Sequence, residues 1–158
     1  MTRILLVDDH PLLRQGIAMT LDAEPDFEVA GQASDAEEAL ATFDAVAPDL
    51  VVTDISLPGM NGLELMKNLL ALHPDLPVLV VSRHDEDLYA ERAVRAGARG
   101  YVSKLAAGDQ IVTAVRRVLR GGIHLSEDLK DKLLFGAAAG VKDATQTPLE
   151  VLSDRELE

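Results

Sequence analysis

The chain has 158 residues, a formal net charge of −12 and no cysteine. That length suits one domain with a sizeable core and a short appendage. The charge makes the chain by itself a poor binder of phosphate backbones, and the lack of cysteine excludes disulfides, thiolate metal sites and a thiol nucleophile. The opening Met1-Thr2-Arg3 runs straight into Ile4-Leu5-Leu6-Val7. That apolar run is far shorter than the roughly 18–20 residues of a membrane span. A cytoplasmic protein without membrane contact is therefore expected.

Ile4-Leu5-Leu6-Val7 is continuously apolar, as in a strand buried on both faces, and it ends in Asp8-Asp9-His10-Pro11. Leu13, Ile17 and Leu21 then recur at helical spacing and predict a helix over 12–23. Pro11 suits its first turn, where a missing N–H costs nothing. Pro25 and Asp26 end this helix, and a second short strand is expected over 27–30. Ser34 with Glu37 reads as a capping box, opening a helix that runs to about Val46. Pro48-Asp49 turns the chain into Leu50-Val51-Val52, a strand ending at Asp54. The stretch Thr53-Asp54-Ile55-Ser56-Leu57-Pro58-Gly59-Met60-Asn61-Gly62 reads as strand end, tight turn and helix start.

The next helix is expected over 62–73, with Leu63, Met66 and Leu70 on its apolar face. Val78-Leu79-Val80-Val81 is another buried strand, closing at Ser82. A helix over 87–96 turns Leu88 and Val94 inward, and Gly97 is a natural residue to follow it. Tyr101-Val102-Ser103 is a short strand that delivers Lys104. Residues 108–120 are strongly amphipathic, with Ile111, Val115, Val118 and Leu119 on one side, and Gly121-Gly122 stops them. After that the character changes. A short helix capped by Ser126 is expected within 123–135, then a small, polar linker, then a second capping box at Ser153 and Glu156.

Strands and helices alternate, which is the pattern of an open parallel α/β sheet with helices on both faces. Acids, a hydroxyl and an ammonium fall at successive strand ends: Asp8 and Asp9, then Asp54, then Ser82, then Lys104. In the flavodoxin-like order 2-1-3-4-5 the first and third strands are neighbours, so Asp8, Asp9 and Asp54 would share one crevice. Packed carboxylates repel, and a hard cation with oxygen ligands offsets the repulsion; Mg2+ is the expected ion. Lys104 and Ser82 could then hold the oxygens of a phosphoryl group, with a carboxylate as the nucleophile. Taken singly, each residue has a plainer reading as a turn cap or a solvated charge, and His10 reads as a surface histidine beside a helix start. Their joint placement carries the inference.

On these residues the chain, from Arg3 to about Gly121, resembles the receiver domain of two-component response regulators. The resemblance implies a flavodoxin-like doubly wound five-stranded parallel sheet. It implies that Asp54 accepts a phosphoryl group from a sensor histidine kinase, and that Asp8, Asp9, Asp54 and the backbone carbonyl of Ser56 hold Mg2+. Ser82 would be the switch hydroxyl, Tyr101 the switch aromatic and Lys104 the phosphate-contacting lysine. Homodimerisation on phosphorylation is allowed. Catalysis is not expected beyond slow self-dephosphorylation. The stretch from Asp54 to Gly62, together with Ala96-Gly97-Ala98-Arg99-Gly100-Tyr101, is similar to the NarL/FixJ-like subfamily with a LuxR-type helix-turn-helix output. Pro148-Leu149-Glu150-Val151-Leu152-Ser153-Asp154-Arg155-Glu156 is similar to the opening of that output domain. The expected organisation is a receiver at 1–121, a linker with a short helix at 122–147 and the truncated start of the DNA-binding domain at 148–158. DNA would be bound only through that output domain.

Two positions depart from the common pattern. Leu105 follows Lys104 where many receivers have proline, so a cis-proline is excluded. Arg83 follows Ser82, where a smaller or uncharged residue is common, and a long cation there would restrict access to small phosphodonors. The rival readings are weaker. A haloacid-dehalogenase-type phosphatase needs a D-x-D pattern after the first strand, and Asp8-Asp9-His10-Pro11 fails it. A binding module that is never phosphorylated would not need the set Asp8, Asp9, Asp54 and Lys104. A dinucleotide-binding protein lacks its G-x-G-x-x-G loop.

Overall fold

Continuous apolar runs of three or four residues form the centre of a five-stranded, all-parallel sheet. The strands β1 (Thr2–Val7), β2 (Phe27–Ala33), β3 (Leu50–Thr53), β4 (Val78–Ser82) and β5 (Gly100–Ser103) lie in the order β2-β1-β3-β4-β5. Between and after them come α1 (Pro11–Asp22), α2 (Ala36–Val46), α3 (Gly62–Leu72), α4 (Asp87–Arg95) and α5 (Ala107–Leu119). The structure is a computed structural model. It describes residues 1–82, 87–104, 107–125 and 130–131, with the backbone alone for 87–89 and 107. Met1–Leu125 forms one compact unit and Ser126–Glu158 a second; the sheet and its five helices belong to the first.

The sequence pattern follows from burial. Ile4, Leu6, Leu50, Val52, Leu79 and Val81 face a core shared with α1 and α5. Leu5, Val7, Val51, Val78 and Val80 alternate with them along the strands and are buried too. Both faces are covered, so the strands read as unbroken apolar runs rather than alternating ones. Among the described residues no helix is long and apolar enough to cross a membrane.

Several local expectations shift. α1 begins at Pro11, one residue earlier than the periodicity suggests, with His10 as its N-cap. β2 continues to Ala33 because it pairs along the whole of β1, from Thr2↔Phe27 to Val7↔Ala33. The cap of α2 is Asp35, not Ser34: its carboxylate accepts the Glu38 N–H at 2.7 Å. Ser34 instead donates its N–H and hydroxyl to the Glu38 carboxylate at 2.8 and 3.0 Å. Both residues are good caps, and the one-residue shift goes to the side chain that meets the free N–H. α3 opens with a capping box between Asn61 and Glu64 and buries Leu65, Met66 and Leu69, while Leu63 and Leu70 are only half-buried. In α4 the buried residues are Ala90 and Ala93, and Val94 is half-buried; the Leu88 side chain lies outside the described residues.

The segment after α5 is not helical at its start. His124 forms a parallel bridge with Gly100, donating its N–H to the Arg99 carbonyl (2.9 Å) and accepting the Tyr101 N–H (2.8 Å). It thereby covers part of the open edge of β5, where unpaired backbone groups would otherwise face solvent. A Cβ on Gly100 would come 3.3 Å from the His124 Cβ and 2.6 Å from Leu79 Cδ1, so the glycine makes room for this return. The rest of the expected short helix, the linker and the capping box at Ser153 lie outside the described residues, apart from 130–131.

Candidate functional site

Parallel pairing of β1 with β3 sets Val7 against Thr53, so the next residue of each strand, Asp8 and Asp54, emerges side by side. The Asp54 N–H donates to the Val7 carbonyl at 3.0 Å, and the Asp8 N–H donates to the Ala33 carbonyl at 3.0 Å. Arg14 fixes the Asp8 backbone from α1, its Nη1 donating to the Asp8 carbonyl at 2.7 Å. Both acids are only 1% exposed. Lys104 reaches the same place from β5, anchored by its own N–H on the Ser82 carbonyl at 2.6 Å. Its Nζ donates to Asp54 Oδ2 at 2.7 Å and lies 3.6 Å from Asp8 Oδ2. The other Asp54 oxygen accepts the Ser56 N–H at 3.2 Å.

The loop that carries Asp54 closes tightly on α3. Gly62 donates its N–H to the Ile55 carbonyl at 2.8 Å. A Cβ on Gly62 would collide with the Asp54 carbonyl oxygen and come 2.8 Å from Ile55 Cα. Only a residue without a side chain lets the helix start sit this close behind Asp54. Sequence reading finds Gly62 as a helix start and misses this role. Its position at the end of the Pro58-Gly59 turn is the signal that could have found it.

Donor atoms of Asp8, Asp9, His10 and Asp54 all lie within 4.8 Å of one another. Burial pushes the Asp54 carboxyl above its ordinary value of 3.8. The Lys104 hydrogen bond and charge and the Ser56 N–H oppose that rise, and the nearby Asp8 charge adds to it. Asp9 Oδ1 is buried and makes no hydrogen bond among the described residues. A buried carboxylate oxygen left without a donor, beside two further acids, is an arrangement that a hard oxygen-seeking cation satisfies. The donor set thus fits magnesium.

The remaining expected residues divide. Ser82 is fully buried at the end of β4, and Tyr101 is buried in β5 on the same sheet face, since Ser82 pairs with Ser103 and Val80 with Tyr101. Ser56 is exposed and held by its N–H on Asp54. His10 is half-exposed as expected, yet its Nδ1 turns inward, 3.1 Å from Asp8 Oδ1 and 3.2 Å from Asp9 Oδ1. Arg83 lies outside the described residues.

Residues 4–116 match the response regulator receiver domain family. The chain belongs to that family. Among curated relatives, the chain is 36% identical over 158 residues to the response regulator GacA of Pseudomonas protegens, covering 100% of this chain and 73% of the relative. It is 32% identical to the transcriptional regulatory protein DegU of Brevibacillus brevis, covering 99% of this chain and 72% of that one. A two-component response regulator of the LuxR family from Aurantimonas sp. superposes with a TM-score of 0.79 at 32% identity, covering 87% of this chain and 99% of that one. The receiver domain of the putative response regulator NarL from Mycobacterium tuberculosis superposes at 0.70 and 32% identity, covering 76% and 97%. This receiver is of the LuxR, NarL/FixJ type and works in phosphorylation-dependent signalling. It is a signalling domain, and a phosphatase reading is not favoured.

Proposed function

We propose that Asp54 is the phosphoryl acceptor, loaded from a phosphohistidine on a sensor histidine kinase. The observation that carries this is the direct contact of Lys104 with Asp54 inside a buried acidic cluster. An Asp54 carboxylate oxygen bonds to phosphorus while the P–N bond to the kinase imidazole breaks and its electron pair stays on that nitrogen. Lys104 Nζ moves from Asp54 Oδ2 to a phosphoryl oxygen, so its charge follows the charge being transferred. Asp8, Asp9, Asp54 and the Ser56 carbonyl hold magnesium, which when bound neutralises the crowded carboxylates and the phosphoryl oxygens. Ser82 donates to the phosphoryl group, and the Tyr101 ring follows into the space this opens, giving two discrete packings of the surface around β5.

The reading extends to organisation and partners. Residues 1–121 act as the receiver, 122–147 as linker with a short helix, and 148–158 as the start of a LuxR-type DNA-binding domain. Phosphorylation favours a homodimer, and DNA is engaged through the output domain only. The protein works in the cytoplasm and has no turnover beyond slow self-dephosphorylation. The test is intact-mass measurement after incubation with a small phosphodonor. One added phosphoryl group is expected with magnesium, none after chelation and none in Asp54→Asn. Full modification of that variant would overturn the assignment.

A further inference from the structure

The cation site has a nitrogen in it. His10 Nδ1 lies 3.1 Å from Asp8 Oδ1 and 3.2 Å from Asp9 Oδ1. Those separations have a meaning in coordination geometry. Neighbouring ligands on an octahedral ion with arms of about 2.1 Å stand about 3.0 Å apart. The ring nitrogen therefore stands from each of the two carboxylate oxygens at the separation of adjacent ligands on one small divalent ion, and all the donor atoms lie within 4.8 Å of one another. Lys104 Nζ also approaches the same nitrogen, at 3.0 Å. A single imidazole nitrogen cannot accept from an ammonium and donate to two carboxylates at once. Asp9 Oδ1 is the oxygen left without a hydrogen bond among the described residues.

The backbone holds the ring there. Pro11 restricts the residue before it to extended conformations, and His10 sits at φ −97, ψ 101. The His10 N–H donates to Asp8 Oδ1 at 2.8 Å, tying its backbone to the first acid. His10 is the N-cap of α1 but makes no side-chain capping bond, so the ring has no competing task at the helix end.

We propose that His10 is a nitrogen ligand of this cation site and sets its metal preference. The site would then favour divalent ions of the first transition row over magnesium by more than carboxylates alone would give. Magnesium takes oxygen ligands and gains little from an imidazole, whereas nickel, cobalt and zinc accept one readily. This inference rests on the reading of Asp8, Asp9 and Asp54 as the cation site.

The experiment is calorimetric titration of the 158-residue chain with Mg2+ alone and with Ni2+ alone, comparing wild type with His10→Ala, Asp9→Asn and His73→Ala. His73 stacks on Phe43, away from the acids, and controls for adventitious histidine binding. His10→Ala should weaken Ni2+ binding on the order of tenfold to a hundredfold while changing Mg2+ binding by less than about threefold. Asp9→Asn should weaken both ions, and His73→Ala neither. Octahedral Co2+ gives a second readout, its visible band shifting when His10 is removed. Equal effects of His10→Ala on both ions would overturn the inference. So would Ni2+ binding that depends on His10 but not on Asp9, which would mark a lone surface histidine. If Mg2+ binding ignores Asp9→Asn, the acidic cluster itself has been misread. If Mg2+ responds to Asp9→Asn but Ni2+ ignores His10→Ala, only the role of His10 fails.

Discussion

Lys104→Met removes an ammonium and keeps an aliphatic stem, so it tests what Lys104 does for Asp54 before any phosphate arrives. Asp54 is 1% exposed in its side chain and Lys104 13%, and their 2.7 Å contact is a buried pair. Removing one member of such a pair costs about 3–5 kcal/mol when the other must stay charged. Asp54 need not stay charged. Its carboxyl already sits above the ordinary value, chiefly through burial, and without Lys104 it rises further. Protonation caps the cost at about 1.4 kcal/mol for each unit between the ordinary carboxyl value and the buffer pH. The expected loss in chelator is about 2–4 kcal/mol near neutral pH, shrinking in mildly acidic buffer. Asp54→Asn should move the other way. A carboxyl raised on folding contributes stability that is fully present below its unfolded value and is lost as pH rises through the folded value. Asparagine escapes that loss, so the variant is more stable than wild type near neutrality and the gain fades toward acid pH. Urea unfolding of both variants and their combination reads these differences directly. Lys104→Met within about 0.5 kcal/mol of wild type near neutral pH, or Asp54→Asn less stable than wild type there, would refute the reasoning.

Gly62→Ala forces a methyl group against the Asp54 carbonyl, so about 1–3 kcal/mol of stability should go together with phosphoryl uptake measured by intact mass. A variant with wild-type stability and uptake would show that the loop yields without disturbing the site. Ser82→Ala should still accept phosphate on Asp54 yet lose much of the response around Tyr101. Amide spectra with and without a phosphoryl mimic check this, and shifts near Tyr101 matching wild type would break the proposed link. Arg116 donates to Asp26 at 2.7 Å and to Glu24 at 2.6 Å and lies 4.7 Å over the Phe27 ring, joining α5 to the turn before β2. Arg116→Ala should lower the thermal midpoint at low salt, and the gap to wild type should narrow as salt screens the ion pairs. A gap that salt leaves untouched would assign the effect to ring packing instead.

Sequence alone determined the fold class and most of the chemistry. Unbroken apolar runs such as Ile4-Leu5-Leu6-Val7, alternating with segments of helical periodicity, read as strands covered on both faces of a doubly wound sheet. In that sheet the residue after each run stands at the same rim, which is why Asp8, Asp54, Ser82 and Lys104 could be grouped before any coordinates. The orientation of surfaces needed the tertiary structure. α3 carries leucines at 63, 65, 69, 70 and 72, enough for two overlapping stripes, and only its seat on the sheet selects Leu65 and Leu69 for the interior. Close approaches were equally hidden. Gly62 and Asp54 are eight positions apart (62 against 54), and their backbone contact is a property of how the loop folds back. His124 lies beyond the amphipathic helix expected over 108–120, so its bridge to Gly100 follows from an open sheet edge that the sequence does not display. The inward turn of His10 depends on the backbone angle before Pro11 and on the exact depth of two acids, quantities fixed by packing rather than by residue order.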